Sequence, residues 1–326
     1  MKLSVVVCTR NRHETIGQAV RSIVQCDYRD FDIHIMDQST NDLTKKIVET
    51  LSEEHSDRCT IVYHHLQRAG LSAAYNSGIR ACDGEIIAFT DDDVIVPADW
   101  LNQIEAVFER EKDAGLLYGQ VLIPKDMESE VAKGIIVPAL TFDRYERLSR
   151  KEGFRVIGMG ADMAIRRTLL ELVGGFDEAL GGGGPLRSSQ DFDFAYRAYR
   201  FGSVIVLAPN VKVDHYGTRT QDQWPATMKN YGIGDGAFYA KHIRCGDRQA
   251  FFMLAKVIIR SRLREIRQTL RSRRWQQDTY GRHLMVGYKD SKAFDIDTKF
   301  RLYQETEHGK MVSTESNIVT ATRRIS

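Results

Sequence analysis

The chain predicts an α/β fold, a mostly parallel sheet covered by helices on both faces, followed by a helical, basic C-terminal extension. Three observations predict it. Short strand-like apolar runs alternate with helical spacings through the first hundred residues. Polar or acidic clusters follow three of those strands without a linker, at Thr9–Arg12, Asp37–Thr40 and Asp91–Asp93. From about Thr218 the pattern turns to long, basic helical stretches.

Taken in order, the strands are expected at Leu3–Cys8, Asp32–Met36, Thr60–Tyr63 and Glu85–Phe89. Between them Ile16, Ala19, Val20, Ile23 and Val24 recur at helical spacing, as do Leu43, Ile47, Val48 and Leu51. A third helix covers Ser72 to Ala81 and stops at the Asp83-Gly84 turn. Pro97, as a first-turn proline, opens a helix running to Arg110. A strand follows over Leu116–Ile123, and Pro124 to Arg155 carries no clear period. Gly158–Arg166 reads as a strand, Asp191–Phe201 as a helix, and Ser203–Leu207 as a short buried strand. In open parallel sheets ligands sit beyond the carboxyl ends of the strands, which marks the three polar clusters as one candidate site.

Composition narrows the class. The 326 residues suit one α/β domain with a smaller appendage. A net charge of +2 gives no reason to expect nucleic acid as a partner. Five scattered cysteines form no C-x-x-C pair, so neither a zinc site nor a disulfide framework is indicated, and buried thiols in a reducing compartment are expected. With only Lys2 ahead of the first strand there is no room for a signal peptide, and no apolar stretch is long enough to cross a bilayer. A cytoplasmic address is the expectation. Between Lys241 and Arg274 stand eleven Lys or Arg against two acids, Asp247 and Glu265. Within that stretch Phe252, Ala255, Ile259, Leu263, Ile266 and Leu270 form one helical stripe, and Arg260, Arg264, Arg267 and Arg271 another. Such a helix either lies on anionic headgroups or packs its apolar stripe on the rest of the chain. The last fifteen or so residues look frayed.

Four features could carry chemistry. Three adjacent carboxylates, Asp91-Asp92-Asp93, repel one another at a strand end and suit a divalent cation, although a solvated acidic helix start ahead of Pro97 is the plainer reading. Asp37 closes its strand and is able to accept hydrogen bonds from a base or ribose, or to serve only as a turn residue. Gln190-Asp191-Phe192-Asp193 follows Gly181–Gly184, a run expected to be a mobile loop beside a site. Asp191 is a general base or an N-cap; Asp193, two residues on, points elsewhere on a helix. His215, past the strand near Leu207 and Pro209, is a structural histidine or the imidazole that completes a carboxylate metal site.

Their order resembles the family 2 inverting glycosyltransferases of the GT-A fold. Leu3-Ser4-Val5-Val6-Val7-Cys8-Thr9-Arg10-Asn11-Arg12 looks like the family's opening strand and loop. Met36-Asp37-Gln38-Ser39-Thr40-Asn41-Asp42 is similar to its D-x-S-T-D nucleotide loop, and Gly70–Gly78 to the motif whose Asn, here Asn76, faces the nucleotide. Asp91–Asp93 matches the D-x-D signature, and Gly160–Arg167 with Gly174-Gly175-Phe176-Asp177 resembles the acceptor-side strand and turn. The resemblance covers residues 1–217. Two positions depart from it: Gln190 stands where the family usually has Glu, and Asp162 where an amide is more usual. Tyr231–His242 looks like a segment of bacterial members that work at the membrane.

The resemblance implies a catalytic domain over 1–217, with a nucleotide-binding half (1–93) and an acceptor-binding half (94–217), and a basic helical extension over 218–326. It implies Thr9, Arg10, Asn11, Arg12, Asp37, Ser39, Asn76, Asp91 and Asp92 at the nucleotide, and Mg²⁺ or Mn²⁺ on Asp91, Asp93 and His215. Gly160, Asp162 and Gln190 would face the acceptor, and Asp191 would take the acceptor hydroxyl's proton. The donor is expected to be a nucleotide-diphosphate sugar, UDP favoured, and the acceptor a saccharide or lipid-linked saccharide, with peripheral contact at the cytoplasmic membrane face. Two other classes compete. A sugar nucleotidyltransferase would want a Gly-rich loop where Thr9-Arg10-Asn11-Arg12 stands, and a non-catalytic sugar-nucleotide or glycan-binding protein would not need Asp91, Asp93, Asp191 and His215 together.

Overall fold

A computed structural model of the protein describes residues 1–155, 158–272 and 278–304. The expected frayed C-terminus, together with Arg273 and Arg274, lies outside the described residues. The chain forms two compact units, residues 1–176 with 191–222, and residues 177–190 with the chain from Gln223.

In the first unit the elements run β1 (Leu3–Thr9), α1 (His13–Val24), β2 (Phe31–Asp37), α2 (Leu43–Glu54), β3 (Thr60–His65), α3 (Leu71–Ala81), β4 (Ile86–Asp91), β5 (Val94–Ile95) and α4 (Trp100–Arg110). They continue with β6 (Ala114–Leu122), α5 (Glu128–Ala132), β7 (Glu146–Leu148), β8 (Asp162–Arg166), α6 (Leu169–Val173), α7 (Gln190–Phe201) and β9 (Val204–His215). The sheet order is β3-β2-β1-β4-β8-β6-β9-β5, with β7 beside β9. Pairs β1–β2, β2–β3, β1–β4 and β6–β9 are parallel, while β8 runs antiparallel between β4 and β6. Consecutive residues of β1, Val5, Val6 and Val7, are all buried, so both faces of the strand are covered. That is why β1 reads as an unbroken apolar run instead of an alternating one.

Three expectations change. Pro97 does not open a helix: α4 begins at Trp100, whose N–H donates to Pro97 O in the preceding turn (3.0 Å). Its anchor is the fully buried Trp100 indole. The strand expected to end at Leu207 runs on to His215. Its register against β6 shifts between Tyr118 and Gln120, and the residues left over around Pro209 bulge out, which frees the proline from donating to the ladder. The strand expected from Gly158 starts at Asp162; residues 156 and 157, just before it, lie outside the described residues.

The second unit holds α8 (Trp224–Arg244), α9 (Arg248–Ser272), α10 (Thr279–Asp290) and a hairpin of β10 (Asp295–Asp297) with β11 (Leu302–Gln304). Gly236 lets α10 approach α8 closely, because a Cβ there would meet the backbone carbonyl of Leu284. Lys241 and Asp177 form a fully buried ion pair at 2.5 Å, and Tyr303 N–H donates to the same carboxylate at 2.9 Å. Gly181–Gly184 is a hydrogen-bonded set of turns, closed by Gly184 N–H to Gly181 O (3.0 Å) and Gly181 N–H to Ser188 O (3.1 Å). No described helix is long and apolar enough to cross a membrane. On α9 the stripe of Phe252, Ile259, Leu263, Ile266 and Leu270 is exposed; the side chain of Arg271 lies outside the described residues. The covered side is the opposite one, with Leu254, Ser261 and Glu265.

Candidate active site

The parallel strands β1, β2 and β4 end side by side, so the three loops after them are neighbours. Asn11 adopts a left-handed backbone (φ 55°), which asparagine tolerates better than most residues. Its N–H donates to Ser39 Oγ (2.7 Å) and its Oδ1 accepts from Thr40 N–H (2.9 Å), tying the first loop to the second. Asp37 is fully buried and accepts from Ser39 N–H (2.8 Å) and Tyr63 Oη–H (2.9 Å). Gln38, which the sequence did not single out, donates to the carbonyls of Arg68 (2.6 Å) and Gly70 (3.0 Å) and so holds the start of α3. Arg10 is exposed at the loop tip.

The acidic cluster sits where β4 turns into β5, and not at a helix start. Thr9 Oγ1 donates to Asp92 Oδ2 (2.6 Å), and Arg12 bridges Asp92 (3.0 Å) and Asp93. The β5–β9 pairing sets Val94 against His215 and brings Nε2 of that histidine 3.4 Å from Asp93 Oδ1. Burial pushes the Asp91 carboxyl up, and the like charge of Asp93 adds to it. Burial also lifts Asp92, to about 6, against the pull of Arg12 and Thr9. Asp93 goes the other way: burial would raise it, but contact with His215 and Arg12 brings it down to about 2. His215 is raised, since Asp93 and Asp91 outweigh its desolvation.

These residues fit a divalent cation. One ligand atom from each of Asp91, Asp93 and His215 lies within 4.8 Å of the others. His215 Nδ1 is buried without a hydrogen-bond partner among the described residues, and Asp93 Oδ1 has only the long 3.4 Å approach of His215 Nε2, an arrangement costly for a purely structural cluster. Two carboxylates and one imidazole suit Mn²⁺ and Mg²⁺.

A second group of polar atoms surrounds Asp191 near the start of α7. Its Oδ1 accepts from Phe192 N–H (2.8 Å) and its Oδ2 from Gly160 N–H (3.2 Å). Burial raises its carboxyl, partly opposed by those N–H groups. The phenol of Tyr118, unremarked in the sequence, donates to Asp191 O (3.2 Å). The buried Tyr75 phenol is pushed up by burial and by the charges of Asp91, Cys8 and Asp191, so both acidic poles reach it. Its neighbour Asn76 was the residue the motif offered, and the tyrosine was the signal passed over.

Several expected residues stand differently. The Asn76 amide pairs with backbone: Nδ2 donates to Phe176 O (2.9 Å) and Oδ1 accepts from Phe176 N–H (2.8 Å), clamping the turn before residue 177. Asp162 is 1% exposed and faces the core, with Oδ1 accepting from Trp100 Nε1 (3.0 Å). It is therefore a packed core acid and not a surface for an acceptor. Gln190 is half-buried at the first residue of α7. Asp193 is fully buried and accepts from Arg197 Nε (2.8 Å), whose other nitrogens donate to the carbonyls of Val173 (2.5 Å) and Gly175 (2.7 Å).

Residues 4–173, just over half of the chain, match the family model described as Glycosyl transferase family 2. The chain belongs to this family. A GalNAc(5)-diNAcBac-PP-undecaprenol beta-1,3-glucosyltransferase of Campylobacter jejuni is 34% identical over 92 residues, 28% of this chain and 29% of that protein. The probable glycosyltransferase YdaM of Bacillus subtilis is 24% identical over 233 residues, 70% of this chain and 52% of that protein. The chain thus spans about a third to a half of the length of the curated relatives it matches. Among solved structures, the mannosyltransferase PcManGT from Pyrobaculum calidifontis, in complex with GDP-Man and Mn²⁺, aligns at a TM-score of 0.55 and 21% identity, covering 74% of this chain and 64% of that one. S. aureus TarS 1-349 in complex with UDP aligns at 0.55 and 17% identity over 92% of this chain and 95% of that one. The fold is the GT-A fold of family 2 glycosyltransferases.

Proposed function

We propose that this family 2 chain transfers a sugar from a nucleotide-diphosphate donor to an acceptor hydroxyl, with inversion at the anomeric carbon. The observation that carries the reading is the cluster of half-buried Asp91 with buried Asp93 and His215 beside the carboxyl ends of β1, β2 and β4, with a second carboxylate at Asp191. Asn11 and Ser39, linked to each other, and the buried Asp37 shape the nucleoside side, and Thr9, Arg10 and Arg12 line its approach. Asp91, Asp93 and His215 would hold Mg²⁺ or Mn²⁺, which supplies Lewis-acid neutralisation of the leaving diphosphate. Asp191 removes the acceptor proton. Burial raises its pKa, which makes its carboxylate a better proton acceptor than that of a surface aspartate. Gly160 N–H holds Oδ2 in position for that transfer. Residues 1–217 are the catalytic domain in this reading, and 218–326 an extension.

The ligands of the related structures, the donor GDP-Man and the nucleotide UDP, support a nucleotide-sugar without choosing the base; UDP is the first to try. The relative from Campylobacter supports a lipid-linked saccharide as acceptor. The test is a thermal-shift series with UDP, GDP, dTDP and CMP, each with Mn²⁺ and with EDTA, followed by donor turnover in Asp191→Asn. Stabilisation by one nucleotide only when metal is present, and transfer reduced at least about 10³-fold in the variant with that stabilisation kept, are expected. No shift with any nucleotide would reduce the protein to a binding or structural role, and full turnover in Asp191→Asn would remove Asp191 as the base.

A further inference from the structure

Helix α9 is covered on one side and apolar on the other. It spans 25 residues, about 37 Å at the ordinary rise. Leu254, Ser261 and Glu265 lie on its buried side, where α8 and α10 pack. Half a turn away, Phe252, Ile259, Leu263, Ile266 and Leu270 follow one another along a single line, and they are between 47% and 75% exposed. Phe251 is exposed beside them. Water-soluble helices put their apolar stripe inward; this one carries a second stripe outward.

The charges around that stripe narrow the partner. Lys256, Arg260 and Arg267 are exposed along one border of it, and Arg248 and Arg262 along the other. The single acid of the helix, Glu265, is on the buried side and already paired with Arg262 (2.7 Å). An outward apolar line with cations on both borders is the arrangement of a helix lying in the plane of an anionic bilayer, where the apolar side chains enter the acyl boundary and the cations meet the phosphates. A protein partner is less well matched: it would need an apolar ridge bordered by acids on both sides over the whole length. No described helix could serve as a membrane span instead.

We propose that the outward face of α9, Phe252 to Leu270, is a docking surface for an anionic lipid bilayer. The inference stands on this face alone and does not depend on the donor-site reading. Peripheral binding follows from it, reversible by salt, since the cations contribute through screened attraction.

The experiment is flotation of the full chain with vesicles of phosphatidylcholine alone and of phosphatidylcholine mixed with phosphatidylglycerol, at low and high salt. Binding to the anionic vesicles at low salt, released by salt, is expected. The pair Ile259→Asp and Leu263→Asp should weaken it more than about tenfold. Lys256→Gln with Arg260→Gln and Arg267→Gln should weaken it about a hundredfold, near fivefold for each cation. All these side chains are exposed, so unchanged melting curves are expected; Phe252→Ser is a second apolar variant should the first pair fold poorly. Absence of flotation with anionic vesicles at low salt overturns the proposal. So does flotation unchanged by Ile259→Asp and Leu263→Asp. Light scattering that shows a dimer dispersed by those substitutions, without flotation, assigns the face to a second copy and also overturns it. The nucleotide and metal thermal shift, measured on the same samples, reports separately on the donor site.

Discussion

Replacing Asp162 with Asn should remove a large part of the pH dependence of stability expected between weakly acid and weakly basic conditions, the raised carboxyls of Asp91 and Asp92 supplying the rest. The acid is buried at the start of β8, where Trp100 Nε1 is the hydrogen-bond donor to Oδ1 and Oδ2 has no partner. Burial pushes its carboxyl from the ordinary 3.8 up to about 8. Below about pH 4 the folded and unfolded chains both hold this proton. Between about 4 and about 8 only the folded chain does, so unfolding releases a proton and stability falls as pH rises. Each pH unit in that window costs about 1.4 kcal/mol, and pH 5 to pH 8 costs about 4 kcal/mol. Asn has the same shape, keeps an oxygen for Trp100 and does not titrate. Urea unfolding of both proteins in steps from pH 5 to pH 8, followed by tryptophan fluorescence, measures the difference directly. The variant should gain on the parent by about 1.4 kcal/mol per unit. Parallel stability curves would refute the argument, because they would mean that the carboxylate finds solvent or a counter-charge when it ionises. The outcome also bears on why the related motif more often carries an amide here: the site receives one hydrogen bond and offers no cation.

Other expectations follow from the same contacts. Arg12→Gln removes the cation that bridges Asp92 and Asp93, so Mn²⁺ affinity of the nucleotide-free protein, read by electron paramagnetic resonance, should rise roughly fivefold; an unchanged or weaker affinity would mean that Arg12 does not compete for those carboxylates. Gly119→Ala forces a methyl into Asp162 Oδ2 and should cost about 1–3 kcal/mol in urea unfolding, an effect that a neutral result would exclude. Arg197→Met breaks a fully buried pair with Asp193 and two donations to the turn at Val173 and Gly175; a loss of about 3–5 kcal/mol is expected, and a loss under about 1 kcal/mol would show that the network relaxes around it. Acidification should weaken Mn²⁺ binding, since the ligands Asp91 and His215 have raised pKa values and take up protons first; calorimetric titrations that give one affinity from pH 5 to pH 8 would contradict this.

The parts legible in the chain are those whose signal is local. β1 and β4 are covered on both faces and show as the apolar runs Val5-Val6-Val7 and Ile86-Ile87-Ala88-Phe89, while β2 shows through the alternating Ile33 and Ile35, and the polar residue ending each strand lies at the ligand edge of the sheet. Thr9, Asn11, Asp37, Ser39 and the three acids could be named for that reason. The partners of Asn76 and Asp162 could not be read, since a motif gives the residue type and not the direction of its side chain. Asn76 turned to the Phe176 backbone and Asp162 to the Trp100 indole, and each partner is distant in sequence. The full length of β9 was hidden by Pro209, whose place in a strand depends on a bulge against β6.

By itself the sequence determined the α/β class, the order of the nucleotide-side strands, the acidic edge and the amphipathic nature of the C-terminal helix, because hydrophobic periodicity and strand-end chemistry are properties of adjacent residues. Tertiary structure decided which charges meet. Strand pairing put His215 beside Asp93, loop geometry put Arg12 across Asp92 and Asp93, and burial turned Asp162 into an acid that keeps its proton. It also decided which side of α9 is covered: a helical period shows that two faces differ, but only the packing of neighbouring helices selects the one that remains outside.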